Sequence, residues 1–469
     1  MTVRVPFALY RGFDQPTCAT MKITPIIAVL LATLALPVSG ENLIQIYEQA
    51  LGHDARLREA AANLRAIRET RPQSLARLLP SLSVTAEMNR NSVRSSFQSA
   101  PSSLGGNPLV FFAGGTNVDF WNSAASLNLI QPVYHREYWV QLNLADKQIA
   151  EAEARFAAEQ QGLIKRTVEV YFEALYAGDS LEFLQAELTH LTEQRELAQA
   201  RFEAGLNAIT DVHEADAAWH RLRTLKIREE NRLQDTLANI ELITGQPPAS
   251  LDRLREKLIL ETPEPASPEQ WVEFARLNNP DLLAATTRVE AQQQRIDQHY
   301  AGHLPTIDLV GRAGFTDNDR PYGISTEYQA IGMQLTVPVF EGGAVNARVR
   351  QARHEYEAAR EHLDGVRRTV THDVREACRA VLSAISQIEA LEATRQSTES
   401  ALEAAQTGLE VGIRTMVDVL NQQAQVYQAR RDHARARYDY ILARFRLKWA
   451  SGVLTAGDLL SINQGLMPP

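Results

Sequence analysis

GLNAITDV at residues 205–212 and GIRTMVDV at residues 412–419 are two copies of one motif, set 207 residues apart. Each lies inside a long stretch without proline, the first between Pro132 and Pro247 and the second between Pro338 and Pro468. Such stretches can carry helices far longer than the globular norm. Their apolar spacing supports this. Ile164, Val168, Tyr171 and Leu175 recur at four-three-four spacing, and Leu181, Leu184, Leu188 and Leu191 at three-four-three. Val370, Val374, Ala377 and Val381 do the same in the second stretch. These are seams of packed antiparallel helices. Read as one helix, residues 136–204 would run about 100 Å at 1.5 Å per residue. A globular domain has no use for that length, whereas a strut or tunnel wall does.

The duplication extends outward from the two motifs. Residues 50–86 align with 275–311 without a gap, Ala50 falling on Ala275, Leu57 on Leu282 and Leu79-Pro80 on Leu304-Pro305. Gln131-Pro132-Val133-Tyr134 resembles Val337-Pro338-Val339-Phe340, and Thr244-Gly245 matches Ser451-Gly452. The chain therefore reads as two repeats, 41–245 and 270–469, joined by a Pro-rich linker at 246–269.

Ahead of each long helix the period becomes two. Strands are expected at about 81–90 and 119–131 in the first repeat, and at about 306–316 and 327–337 in the second. Leu82, Val84, Ala86 and Met88 alternate with Ser83, Thr85 and Glu87, and Ile331, Met333, Leu335 and Val337 with Gly332, Gln334 and Thr336. Strands of about ten residues, apolar on one face and polar on the other, are the signature of a barrel wall facing lipid, with an ordinary half-buried sheet as the less favoured alternative. Phe111, Phe112, Phe120, Trp121, Tyr322 and Tyr328 flank the hairpin tips at 90–118 and 317–325 as an expected interfacial girdle. Four strands cannot close a membrane barrel, whose smallest form has about eight, and open edges are not tolerated in lipid. A spanning reading thus requires two or three copies with closed symmetry.

Bulk features narrow the classes. The 469 residues carry a net charge of −9, which argues against nucleic-acid binding. Two cysteines, Cys18 and Cys378, allow no disulfide framework. Lys22, an apolar run from Ile26 to Leu36 and Pro37-Val38-Ser39-Gly40 read as a signal peptide at 21–40, too short to span as a helix, with a mature start near Glu41. Residues 1–20 do not fit that signal and are expected to be a spurious extension before Met21. No Gly-rich phosphate loop is present, so any energy the function needs must come from a partner. Gly178-Asp179-Ser180-Leu181 spells a hydrolase motif by chance, within a helical stretch, and His213 with His220 makes a poor metal site. No catalytic residue, metal or cofactor is expected.

The tip motifs, the duplicated strand-and-helix units and the run Ala434-Arg435-Ala436-Arg437-Tyr438-Asp439-Tyr440 together resemble the TolC-like outer-membrane channel family over roughly 41–466. The resemblance implies a mainly α fold with a membrane β-barrel, four strands and long antiparallel coiled-coil helices per protomer. It further implies a homotrimer with a twelve-stranded barrel and an α-helical tunnel across the periplasm. A periplasmic adaptor and an inner-membrane transporter would dock at its tips, and efflux or type I secretion would be its use. The competing reading, a periplasmic coiled-coil adaptor or scaffold, predicts one hairpin and no amphipathic strand pairs.

At the tips, Gly205 and Gly412 are expected left-handed caps of the incoming helices. Asp211, with Glu214 three residues on, reads as a capping-box start of the returning helix, and Asp418 as a second cap, each worth about 1 kcal/mol. The resemblance adds roles. Thr210, Asp211 and Arg414 match an Arg–Asp lock that closes the entrance, with Leu409 standing where a tyrosine is usual. Asp418 matches one acid of a lumen ring, whose second acid is replaced by Asn421. The turns at Gly205-Leu206 and Gly412-Ile413 would meet the adaptor. The spacing of Asp418 and Asn421 places both on one helix face.

Overall fold

The computed structural model describes residues 40–95, 116–206, 208–255, 258–319 and 324–467. The expected leader and all but the last residue of the expected signal segment lie outside them, as do Phe111, Phe112 and Tyr322. Three short helices, α1 (Leu43–His53), α2 (Ala55–Arg68) and α3 (Thr70–Ala76), lead into a hairpin of β1 (Ser81–Ser95) and β2 (Thr116–Tyr134). Helix α4 (Arg136–Glu203) then runs 68 residues to the first tip, and α5 (Ile209–Thr244) returns. After the linker and a two-residue strand β3 (Arg253–Leu254), the order repeats. It continues through α6 (Pro268–Asn278), α7 (Pro280–Tyr300), β4 (Thr306–Asn318), β5 (Thr326–Thr336), α8 (Ala344–Glu410) and α9 (Met416–Ala450). A short α10 (Ala456–Asn463) and β6 (Leu466–Met467), paired with β3, close the chain.

The heptad positions explain the long helices. Ile164, Val168, Tyr171 and Leu175 of α4 are buried, as are Leu184 and Leu191 lower down and Val374, Ala377 and Val381 of α8. Above the hairpins the helices lie side by side as α2, α4, α7, α8; below, they run α5, α4, α9, α8. The thickest core sits where these halves meet, around Tyr171, Phe172, Tyr438 and Tyr440. Buried tyrosines need hydroxyl partners. Tyr171 donates to the Glu41 and Asp252 carbonyls at 3.2 and 3.0 Å, and Tyr440 donates to the Glu261 carbonyl at 3.0 Å while accepting from the Glu261 amide at 2.7 Å. The linker is thereby fastened to the helices. Tyr438 donates to Asp179 at 2.6 Å, which gives the aspartate of the 178–181 sequence a structural role in mid-helix.

The sheet order is β1-β2-β4-β5, antiparallel throughout, and β1 and β5 leave an unpaired edge at each side. Its register puts Leu82, Leu129, Gly311 and Ile331 in one row across the sheet, and Val84, Leu127 and Ala313 in the next. This face stays open to the outside, with Val84 73% and Ile331 76% exposed. Leaving such residues in contact with water is unfavourable, so the exposed face calls for lipid or another chain. Gly314 allows the central strands to approach, since a β-carbon there would lie 2.5 Å from the Ala125 carbonyl. The expected girdle divides between the faces. Trp121 lies on the apolar face, whereas Phe120 and Tyr328 fall in register with the polar residues, because strand parity, not sequence proximity, decides the side.

Candidate functional site: the tips of the helical hairpins

Both incoming helices end in the same way. Gly205 and Gly412 adopt φ of +71° and +77°. The Leu206 amide reaches back to the Arg201 carbonyl at 2.8 Å and the Gly205 amide to Phe202 at 2.9 Å. On α8 the Ile413 amide bonds Gly408 at 2.9 Å and the Gly412 amide bonds Leu409 at 3.2 Å. These are paired Schellman turns that satisfy the last carbonyls of each helix. A β-carbon at either glycine would meet nothing within 4 Å, so backbone conformation alone calls for glycine there.

The returning helices differ, and here the capping expectation is corrected. Asp211 is not a cap. Ala208 occupies the N-cap of α5 without a side-chain bond, and Asp211 lies in the first turn beyond it. At the equivalent place in the second repeat Thr415 caps α9, its hydroxyl accepting from the Asp418 amide at 3.2 Å. Asp418 returns the contact, its Oδ2 accepting from the Thr415 amide at 3.0 Å and from the hydroxyl at 2.9 Å. Those bonds, with Arg414 nearby, hold the Asp418 carboxyl below its ordinary pKa. Thr415-Met416-Val417-Asp418 is itself a capping-box sequence, so Thr415 was detectable in advance.

Leu409 is half-buried against Ala198, Val212, Ala215 and Met416, a small apolar cluster contributed by both hairpins. In place of a hydroxyl the tip therefore has a greasy contact joining α8 to α5. Arg414 folds back over the end of α8, where a β-carbon on Gly408 would stand 2.6 Å from its Cγ. Gly408 is thus a tip residue that motif reading missed; a glycine in the last turn of a long helix was its only signal. Thr210 and Asn421 are exposed, and Asp211 and Asp418 are partly so. Among the described residues Arg414 makes no ion pair within the protomer, so one chain alone does not bring it to Asp211. Leu206 and Ile413 present apolar side chains 75% and 80% exposed at the two turns. Both hairpins thus end in a solvent-facing apolar turn, and the second carries Arg414, which makes no ion pair among the described residues.

A sequence profile described as Outer membrane efflux protein matches residues 46–246 and 271–453. The chain belongs to the outer membrane efflux protein family. It is 35% identical to Outer membrane protein TolC of Vibrio cholerae over 451 residues, which is 95% of this chain and 98% of that one. It is 28% identical to the Proteases secretion protein PrtF of Dickeya chrysanthemi over 449 residues, 93% of this chain and 94% of that one. Among solved structures, the outer membrane protein VceC of Vibrio cholerae shares the fold with a TM-score of 0.73 at 21% identity, covering 87% of this chain and 96% of that one. The efflux family member described here is accordingly an outer-membrane channel with a periplasmic helical tunnel. Its family is a channel family and not a class of enzymes.

Proposed function

We propose that three copies of the chain close one barrel of twelve strands, β5 of each pairing with β1 of the next. The hairpins would then form a continuous tunnel for efflux of small molecules and, by likeness to PrtF, for secretion of proteins. The observation that carries this is the four-stranded sheet, with both edges unpaired and its apolar face exposed, on a chain that also holds two long hairpins. Eight or twelve strands would satisfy closure, and the family resemblance favours three copies.

Within that assembly, Thr210, Asp211, Arg414 and Leu409 form the periplasmic gate. The Arg414 guanidinium, without an ion pair among the described residues of its own protomer, pairs with Asp211 and Thr210 of the next copy. Asp418 lines the narrowest ring with one carboxylate per protomer, Asn421 beside it. Its Oδ1 is free of the capping box and accepts cations. The apolar turns Gly205-Leu206 and Gly412-Ile413 meet a periplasmic adaptor, and an inner-membrane transporter supplies the energy. The channel performs no catalysis. Fractionation and gel migration test the assembly: membrane recovery, a heat-modifiable trimer and step conductance in planar bilayers are expected. A monomer recovered from the soluble periplasm would replace the channel by the adaptor reading.

A further inference from the structure

Two surfaces on opposite flanks of the protomer match each other. On the α8 flank, two adjoining hollows of 590 and 470 Å³ share Arg276, Arg367 and Thr371. The second hollow is largely apolar, its lining including Leu277 and Leu283, 76% and 59% exposed, and the first is basic, lined by Arg367, Arg368, Arg375 and Arg379. Arg276 and Arg375 are held by Glu273 and Glu269. Arg379 makes no ion pair among the described residues. On the opposite flank, the corner of α1 and α5 exposes Leu242 at 81% and Leu51 at 43%. Around them Glu48, Asp235 and Glu241 are exposed and, among the described residues, make no ion pair within the protomer.

The two surfaces stand at one height. Leu242 lies 33 residues above the start of α5 at Ile209, and Arg379 lies 31 residues above the end of α8 at Glu410. At 1.5 Å per residue both are about 50 Å from the tip turns. Ala50 of α1 packs with Ile243 of α5, which places α1 level with the same corner. Because the helix order runs α5, α4, α9, α8 and the sheet order β1 to β5, these flanks are the two lateral edges of one protomer. A heterologous contact between unlike edges forms a ring when its rotation closes on itself.

We propose that the α6–α8 groove receives the α1–α5 corner of a second copy of this chain, Leu51 and Leu242 covering its apolar hollow and Glu241 pairing with Arg379 of its basic one. The contact would lock adjacent protomers at mid-height, far from both the barrel and the tips. It rests on the ring assembly proposed above and adds the surfaces that hold it. Charge complementarity sets which edges meet, since two like edges would oppose Arg379 to Arg379 or Glu241 to Glu241.

The test is a charge exchange read on the purified channel in detergent. Glu241→Arg and Arg379→Glu alone should each lower the temperature at which the SDS-resistant trimer dissociates, and the double exchange should restore it. Leu242→Asp should lower it with or without the exchange. Single variants that dissociate like the parent, or a double exchange that restores nothing, would overturn the contact. Light scattering on the parent separates this from the ring itself. A three-chain mass with insensitive variants removes only this contact, and a one-chain mass removes the ring.

Discussion

Glu187 is a carboxylic acid buried in the seam between the two hairpins, and its behaviour with pH can be worked out in advance. It lies on α4 with 7% of its surface exposed, and its Oε2 has no hydrogen-bond partner among the described residues. Burial pushes its pKa from 4.5 up to about 7, against the opposing field of Arg431 on α9. Tyr427 of α9, itself raised by burial, is the other titratable group facing it from that helix. At 1.36 kcal/mol per pKa unit a rise of this size represents about 3 kcal/mol, and residual solvent access brings it to roughly 2–3 kcal/mol. The sign follows from which form the packed seam disfavours. With the packed-state pKa above the open-state value, the seam is unpenalised below pH 4.5 and loses stability as pH rises to about 7. Amide exchange reports this locally. Corrected for intrinsic rates, the amides of residues 184–191 should open about 30–100-fold more readily at pH 8 than at pH 4.5, following from 1.4 kcal/mol per tenfold. Glu187→Gln keeps the shape and removes the charge, so its exchange should be nearly independent of pH and as slow as the parent at pH 4.5. Identical pH profiles in parent and variant would refute the assignment of a charge-intolerant seam to Glu187.

Three further outcomes follow from the tips and strands. Arg414→Ser and Asp211→Ala should each raise single-channel conductance in bilayers. An exposed pair contributes only about 0–1 kcal/mol, but threefold symmetry repeats it, and about 2.7 kcal/mol moves a 1:99 balance to even; unchanged conductance in both removes them from the lock. Trivalent-cation block should vanish in Asp418→Asn and tighten in Asn421→Asp, because a second acid deepens the ring potential at close range; if neither change alters the blocking constant, Asp418 serves α9 as a capping partner only. An impermeant thiol reagent on intact cells should label Ser102→Cys and spare Ile413→Cys, and the reverse pattern would invert the topology.

Periodic features of this chain were legible because they are local. The proline-free stretches and heptads of α4 and α8, and the period-two alternation of β1, β2, β4 and β5, follow from neighbours a few residues apart. What escaped notice depends on contacts between distant segments. Glu187 falls among Leu184, Leu188 and Leu191 like any polar interruption, and only the approach of α9, some 240 residues on, makes it a buried acid. Tyr438 and Tyr440 marked a distinctive run, yet their purpose appears only when Asp179 and the Glu261 backbone meet their hydroxyls. Phe120 and Tyr328 were placed by proximity to a loop, and strand parity moved them to the other face.

The tip shows how two near-identical motifs can diverge in chemistry. Ala208 and Thr415 hold the same position in their repeats, and this single difference decides what each following acid can do. Thr415 draws Asp418 Oδ2 into a closed capping box, which orients the carboxylate and lowers its pKa, and Oδ1 takes no part in that box. Ala208 has no such side chain, so Asp211 enters no capping box and makes no ion pair among the described residues. Arg414, seated over Gly408, is one residue from Thr415 and lies on the repeat opposite to Asp211. In the proposed assembly, a fixed acid at Asp418 suits a ring that must hold its charge in one place. An unfixed one at Asp211 suits a lock that has to release.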